Sequence, residues 1–200
     1  MQAELFLRPL RTVLDGLVRL SQTRSNYWAE FVVDSVLALG LLGAGLQAPG
    51  ISMEHVLLTV LTGLLIFSFL EYAIHRWLFH SLNSVLAQGH EAHHQNPTGY
   101  DALPFFLPGL ATLGLLGLFA TVVPMHDAYL LSGAFTAGYV IYGASHHIIH
   151  HVRFQHPWAK RWAAVHHIHH VHPETNFGVT SPLWDVVMGT RYISRRNRRH

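Results

Sequence analysis

Apolar residues gather in four long stretches of this chain, at roughly 29–47, 55–74, 103–123 and 128–145, without the strict alternation that marks strands. A bilayer core takes about 20 residues of helix, within a range of roughly 17–25. The second and third stretches meet that length; the first contains Asp34, and the fourth is short and rich in Gly, Ser and Tyr. The connectors Gln47-Ala-Pro-Gly-Ile-Ser52 and Pro124-Met-His-Asp127 carry turn residues, so the predicted helices pair as two hairpins. Gly40, Gly43, Gly45, Gly114, Gly117, Gly133 and Gly138 fall inside the stretches and read as positions of close helix packing. Ahead of them, Leu5, Leu7, Leu10, Val13, Leu14, Leu17, Val18 and Leu20 recur with roughly helical spacing. That pattern suits an interfacial amphipathic helix or an ordinary surface helix.

Composition agrees with a membrane protein of one domain. Only 12% of the 200 residues are charged, against about a quarter in soluble domains. Cysteine is absent, which removes disulfides and thiolate ligands. Arg8, Arg11, Arg19 and Arg24 are spread through residues 1–24, with no compact apolar core or cleavage site of a signal peptide. The thirteen Lys and Arg residues all lie before the first stretch, after the second or after the fourth; neither short connector has one. The positive-inside rule then places both termini and the 75–102 segment in the cytoplasm. The run Arg195-Arg-Asn-Arg-Arg199 lacks the interleaved aromatics of a nucleic-acid surface and suits lipid headgroups, so no nucleic-acid partner is expected.

Ten of the eighteen histidines form four clusters: His75-x4-His80, His90-x2-His93-His94, His146-x3-His150 and His166-x2-His169-His170. Neutral imidazole is the commonest side-chain ligand for transition metals. One zinc ion takes about four protein ligands or fewer, so ten suit two ions. His90/His93/His94 and His166/His169/His170 repeat an i, i+3, i+4 pattern that shares one helical face. His75 and His80 are offset by roughly 140° on a regular α-helix, so they require a distortion near His80 or address different ions. Spacing leaves the third cluster open, because His147/His151 is an i, i+4 pair as good as His146/His150.

These clusters resemble the membrane fatty acid hydroxylase and sterol desaturase superfamily of histidine-rich di-metal oxygenases, from about Glu71 to Thr190. The tail Asn176-Phe-Gly-Val-Thr-Ser-Pro-Leu-Trp-Asp185, followed by Gly189-Thr190, is similar to the fatty acid 2-hydroxylase branch in particular. The four apolar stretches predict an all-α, multi-pass fold of four spans. Residues 1–28 would form a cytosolic or interfacial segment, and 29–200 the membrane hydroxylase domain. Within it, segments 75–102 and 146–190 would build a cytosolic metal-binding cap ahead of a basic tail, 191–200. The implied ligands are His75, His80, His90, His93, His94, His146, His150, His166, His169 and His170; His147, His151, His167 and His172 would lie outside the ligand set. About 28 residues precede the first span, too few for a fused cytochrome b5 domain, so a separate electron donor protein is expected.

Hydroxylating an unactivated C–H bond demands O2 reduction, which two redox metals can share and zinc cannot. Iron is therefore the expected metal and O2 the co-substrate, with zinc a substitute that a preparation can carry. Glu71, Glu91, Asp101, Glu174 and Asp185 are available as carboxylates that orient imidazole rings, and Tyr142 is a further candidate beside the metals. Phe105, Phe106, Tyr139 and Tyr142 are candidate linings of a path for an acyl chain rising from the bilayer. The expected reaction is 2-hydroxylation of a membrane lipid or fatty acyl chain; the competing readings are carotenoid ring hydroxylation and sterol or lipid desaturation. A metal transporter would place its ligands near the bilayer midplane, whereas these clusters follow the apolar stretches.

Overall fold

The computed structural model describes residues 2–80, 84–100 and 102–194, and among them there are helices and no strands. In chain order they are α1 (Gln2–Ser21), α2 (Arg24–Gly45), α3 (Met53–Ala73), a π-helical turn (Ile74–Phe79), α4 (Val85–Gln95), α5 (Leu107–Phe119), α6 (Met125–His151), α7 (Pro157–Val171) and α8 (Leu183–Val187). Asp101 and the arginines of 195–199 lie outside the described residues.

Local chemistry sets the helix starts. Thr23 caps α2 by accepting from Asn26 N, and Ser52 caps α3 by accepting from His55 N. Asn26 then binds the far segment through Leu103 O and Phe105 N, which ties the approach to α5 to the start of α2. Pro108 sits in the first turn of α5, where its missing N–H would have no intrahelical partner anyway.

The helices α2 and α3, the latter continued to Phe79, are long and apolar enough to cross a membrane, with mean hydropathy 1.5 and 2.0. The first stretch tolerates its acid because α2 turns Asn26, Glu30, Asp34, Ala38 and Gly45 inward along one face. Tyr139 of α6 donates to Glu30 Oε1 at 2.6 Å, so a phenol satisfies one of these buried carboxyls. The third stretch differs from its prediction. Its helix covers 13 residues, about 20 Å, because Pro104 and Pro108 confine its start and residues 120–123 form turns before Pro124. The fourth is longer than predicted, running 27 residues to His151.

Helix α6 is the hub, packed against α2, α3 and α5. Close approach needs glycine where helices cross. A Cβ on Gly63 of α3 would lie 2.8 Å from Ala134 Cβ, and one on Gly138 of α6 would lie 2.6 Å from the Phe67 ring. Gly45 and Gly133 are packed in the same way, whereas a Cβ at Gly40, Gly43, Gly114 or Gly117 would meet nothing within 4 Å. Those four glycines do not serve the packing their sequence context predicted. Val32, Val36, Leu39, Leu57, Leu58, Leu61, Leu110 and Leu118 face outward, an apolar belt that suits hydrocarbon surroundings.

Candidate metal centre

The π-helical turn resolves the awkward spacing of the first cluster. A turn that closes from i to i+5 stacks residue 80 over residue 75, which a regular α-helix cannot do. The two rings lie 5.2 Å apart at 32°. Both histidines therefore address one group, His75, His80, His90, His94 and His169, whose ligand atoms lie within 4.8 Å of one another. A second group of the same compactness contains His93, His146, His150, His166 and His170. All ten sequence-predicted residues are in one or the other.

The two triplets divide between the groups in opposite senses. Helix α4 sends His90 and His94 to the first and His93 to the second; α7 sends His166 and His170 to the second and His169 to the first. In each helix the i, i+4 pair shares a group while the i+3 residue faces across. The groups adjoin, with His94 stacked on His170 at 4.4 Å and 23°. Helix α6 contributes His146 and His150. His147 and His151 stack on each other at 4.0 Å on another face, where His147 meets the rings of Tyr27 and Trp28.

The nitrogen geometry fits a metal better than it fits hydrogen bonding. His90 Nε2 lies 3.0 Å from Nε2 of His75, of His80 and of His94. One ring nitrogen has either one hydrogen or one lone pair, so it cannot satisfy three such contacts. In the second group His166 Nε2 lies 3.1 Å from Nε2 of His150 and of His170, and buried His93 Nε2 has no hydrogen-bond partner. Two nitrogens held at right angles by one ion with bonds of about 2.1 Å lie about 3.0 Å apart; a tetrahedral angle gives about 3.4 Å. The observed contacts match right-angle coordination, as in five- or six-coordinate ions. Burial, reinforced by repulsion between neighbours, holds His80 at a pKa of about 4, His93 about 3 and His170 about 2. These rings are neutral near pH 7, the form that binds metal.

The outer contacts come from the loop 175–180. His75 Nδ1 lies 2.5 Å from Phe177 O and His169 Nδ1 lies 2.7 Å from Thr175 O, contacts that leave each Nε2 lone pair for an ion when Nδ1 carries the hydrogen. Glu71 and Asp185 act one step further out than the sequence predicted. Asp185 accepts from Phe177 N and Gly178 N, both at 2.8 Å, and from Thr190 Oγ1. Glu71 accepts from Val179 N, Thr180 N and Thr180 Oγ1. These carboxylates hold the loop whose carbonyls hold the rings. Gly178 permits the tight fold there, since a Cβ would lie 2.2 Å from Ser181 O; Asn176, at φ 55°, holds Val165 O and Tyr192 N through its side chain. Sequence reasoning missed Thr175, Asn176 and Thr180, and its only signal was the tail motif that contains the last two.

Tyr142 packs its ring on His146 at 5.8 Å and 12°. Glu91 is exposed and accepts from Gln95, and its charge acts on His80 and His94 from the solvent side, whereas Glu174 is exposed beside His172. Phe105 and Phe106 face outward at the start of α5, and Tyr139 is engaged by Glu30.

Comparison with known proteins identifies the family and the fold. The sequence pattern of the fatty acid hydroxylase family matches residues 60–190. A dihydroceramide fatty acyl 2-hydroxylase of Arabidopsis thaliana is 31% identical over 84% of this chain and 74% of its own. The ceramide very long chain fatty acid hydroxylase of Saccharomyces cerevisiae is 30% identical over 64% of this chain and 36% of its own; the fatty acid 2-hydroxylase of Homo sapiens is 27% identical over 90% and 46%. This chain thus spans less than half the length of the last two. A solved structure of full-length Scs7p, in which only the hydroxylase domain is visible, has the same fold, with a TM-score of 0.74 at 24% identity over 88% of this chain and 69% of that one. On a family match that covers most of the chain, including all ten clustered histidines, this protein belongs to the fatty acid hydroxylase family and is an oxidoreductase.

Proposed function

We propose that the ten histidines bind two iron ions and that the protein inserts one atom of O2 next to the carboxyl end of a lipid acyl chain. The observation that carries this reading is the pair of adjoining five-imidazole groups with Nε2 contacts of 3.0–3.1 Å. Five neutral nitrogens at right-angle spacing exceed the four ligands of structural zinc and suit a redox ion that keeps a position open. The bound metals would supply O2 reduction. The balance is C–H + O2 + 2 e⁻ + 2 H⁺ → C–OH + H2O, so the electrons come from a donor protein outside the histidine centre.

The chain's own groups prepare that chemistry. The carbonyls of Phe177 and Thr175 fix two rings, while Phe79, stacked on His90 at 4.8 Å, and Phe177, 5.7–5.8 Å from His75, His80 and His169, wall the first group with apolar surface. Both groups lie beyond the C-terminal ends of the apolar parts of α3 and α6, at headgroup level if α2, α3, α5 and α6 cross the bilayer. Carbons near a lipid's head group are the easiest to reach from there, and the Arabidopsis relative is named for 2-hydroxylation of a dihydroceramide fatty acyl group. The decisive experiment supplies the purified protein with a reductase and a lipid acyl substrate, and analyses hydroxy-acids by mass spectrometry. A 2-hydroxy product is expected; a double bond, a ring hydroxyl or mid-chain oxygen as the sole product refutes 2-hydroxylation, and full turnover without reductant refutes the oxygenase.

The one-sided Lys and Arg distribution supports four spans with both termini and the histidines cytoplasmic, and Gln47–Ser52 and Pro124–Asp127 on the far side. Reporter fusions after Gly50 and at the C-terminus are expected to signal from opposite sides. Signals from the same side contradict the orientation.

A further inference from the structure

A third group of metal-competent side chains lies at the other end of the bundle. Ser52 caps α3 and sets His55 in its first turn, while Pro124 opens α6 and sets His126 and Asp127 in its first turn. Because α3 and α6 both run toward the ten histidines and pack along their length, their first turns meet. From His55 to His75, and from His126 to His146, the chain advances twenty residues of helix, a separation of about 30 Å. We propose that His55, His126 and Asp127 form a separate binding site for a zinc-class divalent ion, independent of the hydroxylase centre.

The ligand atoms of the three residues lie within 4.8 Å of one another. His55 Nε2 is 2.6 Å from Asp127 Oδ1, and His126 Nε2 is 3.6 Å from Asp127 Oδ2. A hydrogen bond between His55 and Asp127 accounts for the first contact, while His126, the chain neighbour of Asp127, brings a second imidazole 6.0 Å from the His55 ring with its Nε2 too far from Asp127 for a hydrogen bond. A shared ion accounts for both rings and both carboxylate oxygens. Two imidazoles, one carboxylate and water make up a common zinc ligand set with an open position. The exposure of His55 and His126 gives an ion access from solvent, while Asp127 is largely covered and held in place.

The dipoles of the two helix N-termini oppose a cation at this point. The carboxylates of Asp127 and Glu54, each in the first turn of its helix, supply the opposing negative charge. A bound ion would cross-link α3 to α6 at the far end.

The test uses the full-length protein in lipid nanodiscs, equilibrated with Co²⁺ and desalted. Metal per chain is measured by elemental analysis and the site is followed by visible absorption. The unaltered protein is expected to hold one more equivalent than His126→Ala or Asp127→Asn, with the remaining metal unchanged in both variants. His126→Ala is the sharper variant, because it keeps the His55–Asp127 contact and removes an exposed ring that makes no short hydrogen bond. Equal metal in all three proteins overturns the proposal. So does a lower melting temperature in Asp127→Asn with no change in metal, which would make the cluster a His–Asp clasp. Because the readout is a difference between variants, it stands apart from the metal content and activity of the ten-histidine centre.

Discussion

Replacing His93, His150 or His169 by alanine is expected to abolish hydroxylation while leaving membrane insertion intact. His93 and His150 belong to the second five-imidazole group and His169 to the first, so the three substitutions probe both. Each removes one nitrogen from a set spaced for a single ion. The loss should exceed the roughly 10- to 100-fold that removal of an outer partner costs. His147→Ala and His151→Ala serve as controls, since these rings stack on each other away from both groups and should leave metal and product unchanged. Elemental analysis of the purified variants and mass spectrometry of the product decide the matter. Retained activity in any two of the three ligand variants excludes the assignment.

Asp185→Ala is expected to lower metal content and turnover by roughly 10–100-fold, although its carboxylate touches none of the ten rings in the contacts described. The fully buried carboxylate accepts three hydrogen bonds, two of them from backbone N–H groups of Phe177 and Gly178. Alanine leaves those donors unpaired, at about 1–3 kcal/mol for each buried group. The loop then loses its anchor, and the Phe177 carbonyl no longer holds His75 Nδ1 in place. A merely structural loss would lower the melting temperature and leave metal affinity per folded protein unchanged. A drop in affinity measured on the folded fraction shows that Asp185 positions the first group. Glu71→Ala should act in the same direction through Val179 and Thr180.

The first apolar stretch shows how far pattern reading reached. Asp34 weakened the case for a span, yet α2 is, among the described residues, one of two helices long and apolar enough to cross a membrane. Its polar residues recur at intervals of four, so one inward face hides them while Val32, Val36 and Leu39 face out. The third stretch forms a shorter helix than its apolar run suggested. Composition marked 21 apolar residues, but hydropathy is indifferent to where a helix stops, and prolines and a chain reversal left only 13 helical. The glycines divided for the same reason, since a small residue permits close approach without requiring a neighbour.

What the sequence determined by itself is local: the ten clustered histidines, the i, i+3, i+4 faces of α4 and α7, and the helix-forming stretches that carry them. Periodicity within one helix is enough to place side chains on a shared face, because the helix fixes their relative angles. Which group each histidine joins depends on how helices far apart in the chain cross, and only the tertiary structure decided it. His93 parts from His90 and His94 because α4 lies between the two groups, a position set by packing. His146 and His147 are equivalent in spacing, and the burial of α6 against α2 and α3 selects between them. The π-helical turn answers the five-residue gap by changing the angle per residue, a choice that local propensity leaves open. Glu71 and Asp185 were legible as acids near the metals, but their hydrogen bonds run to backbone N–H groups of a loop, up to 109 residues away, and every residue except proline carries the same N–H.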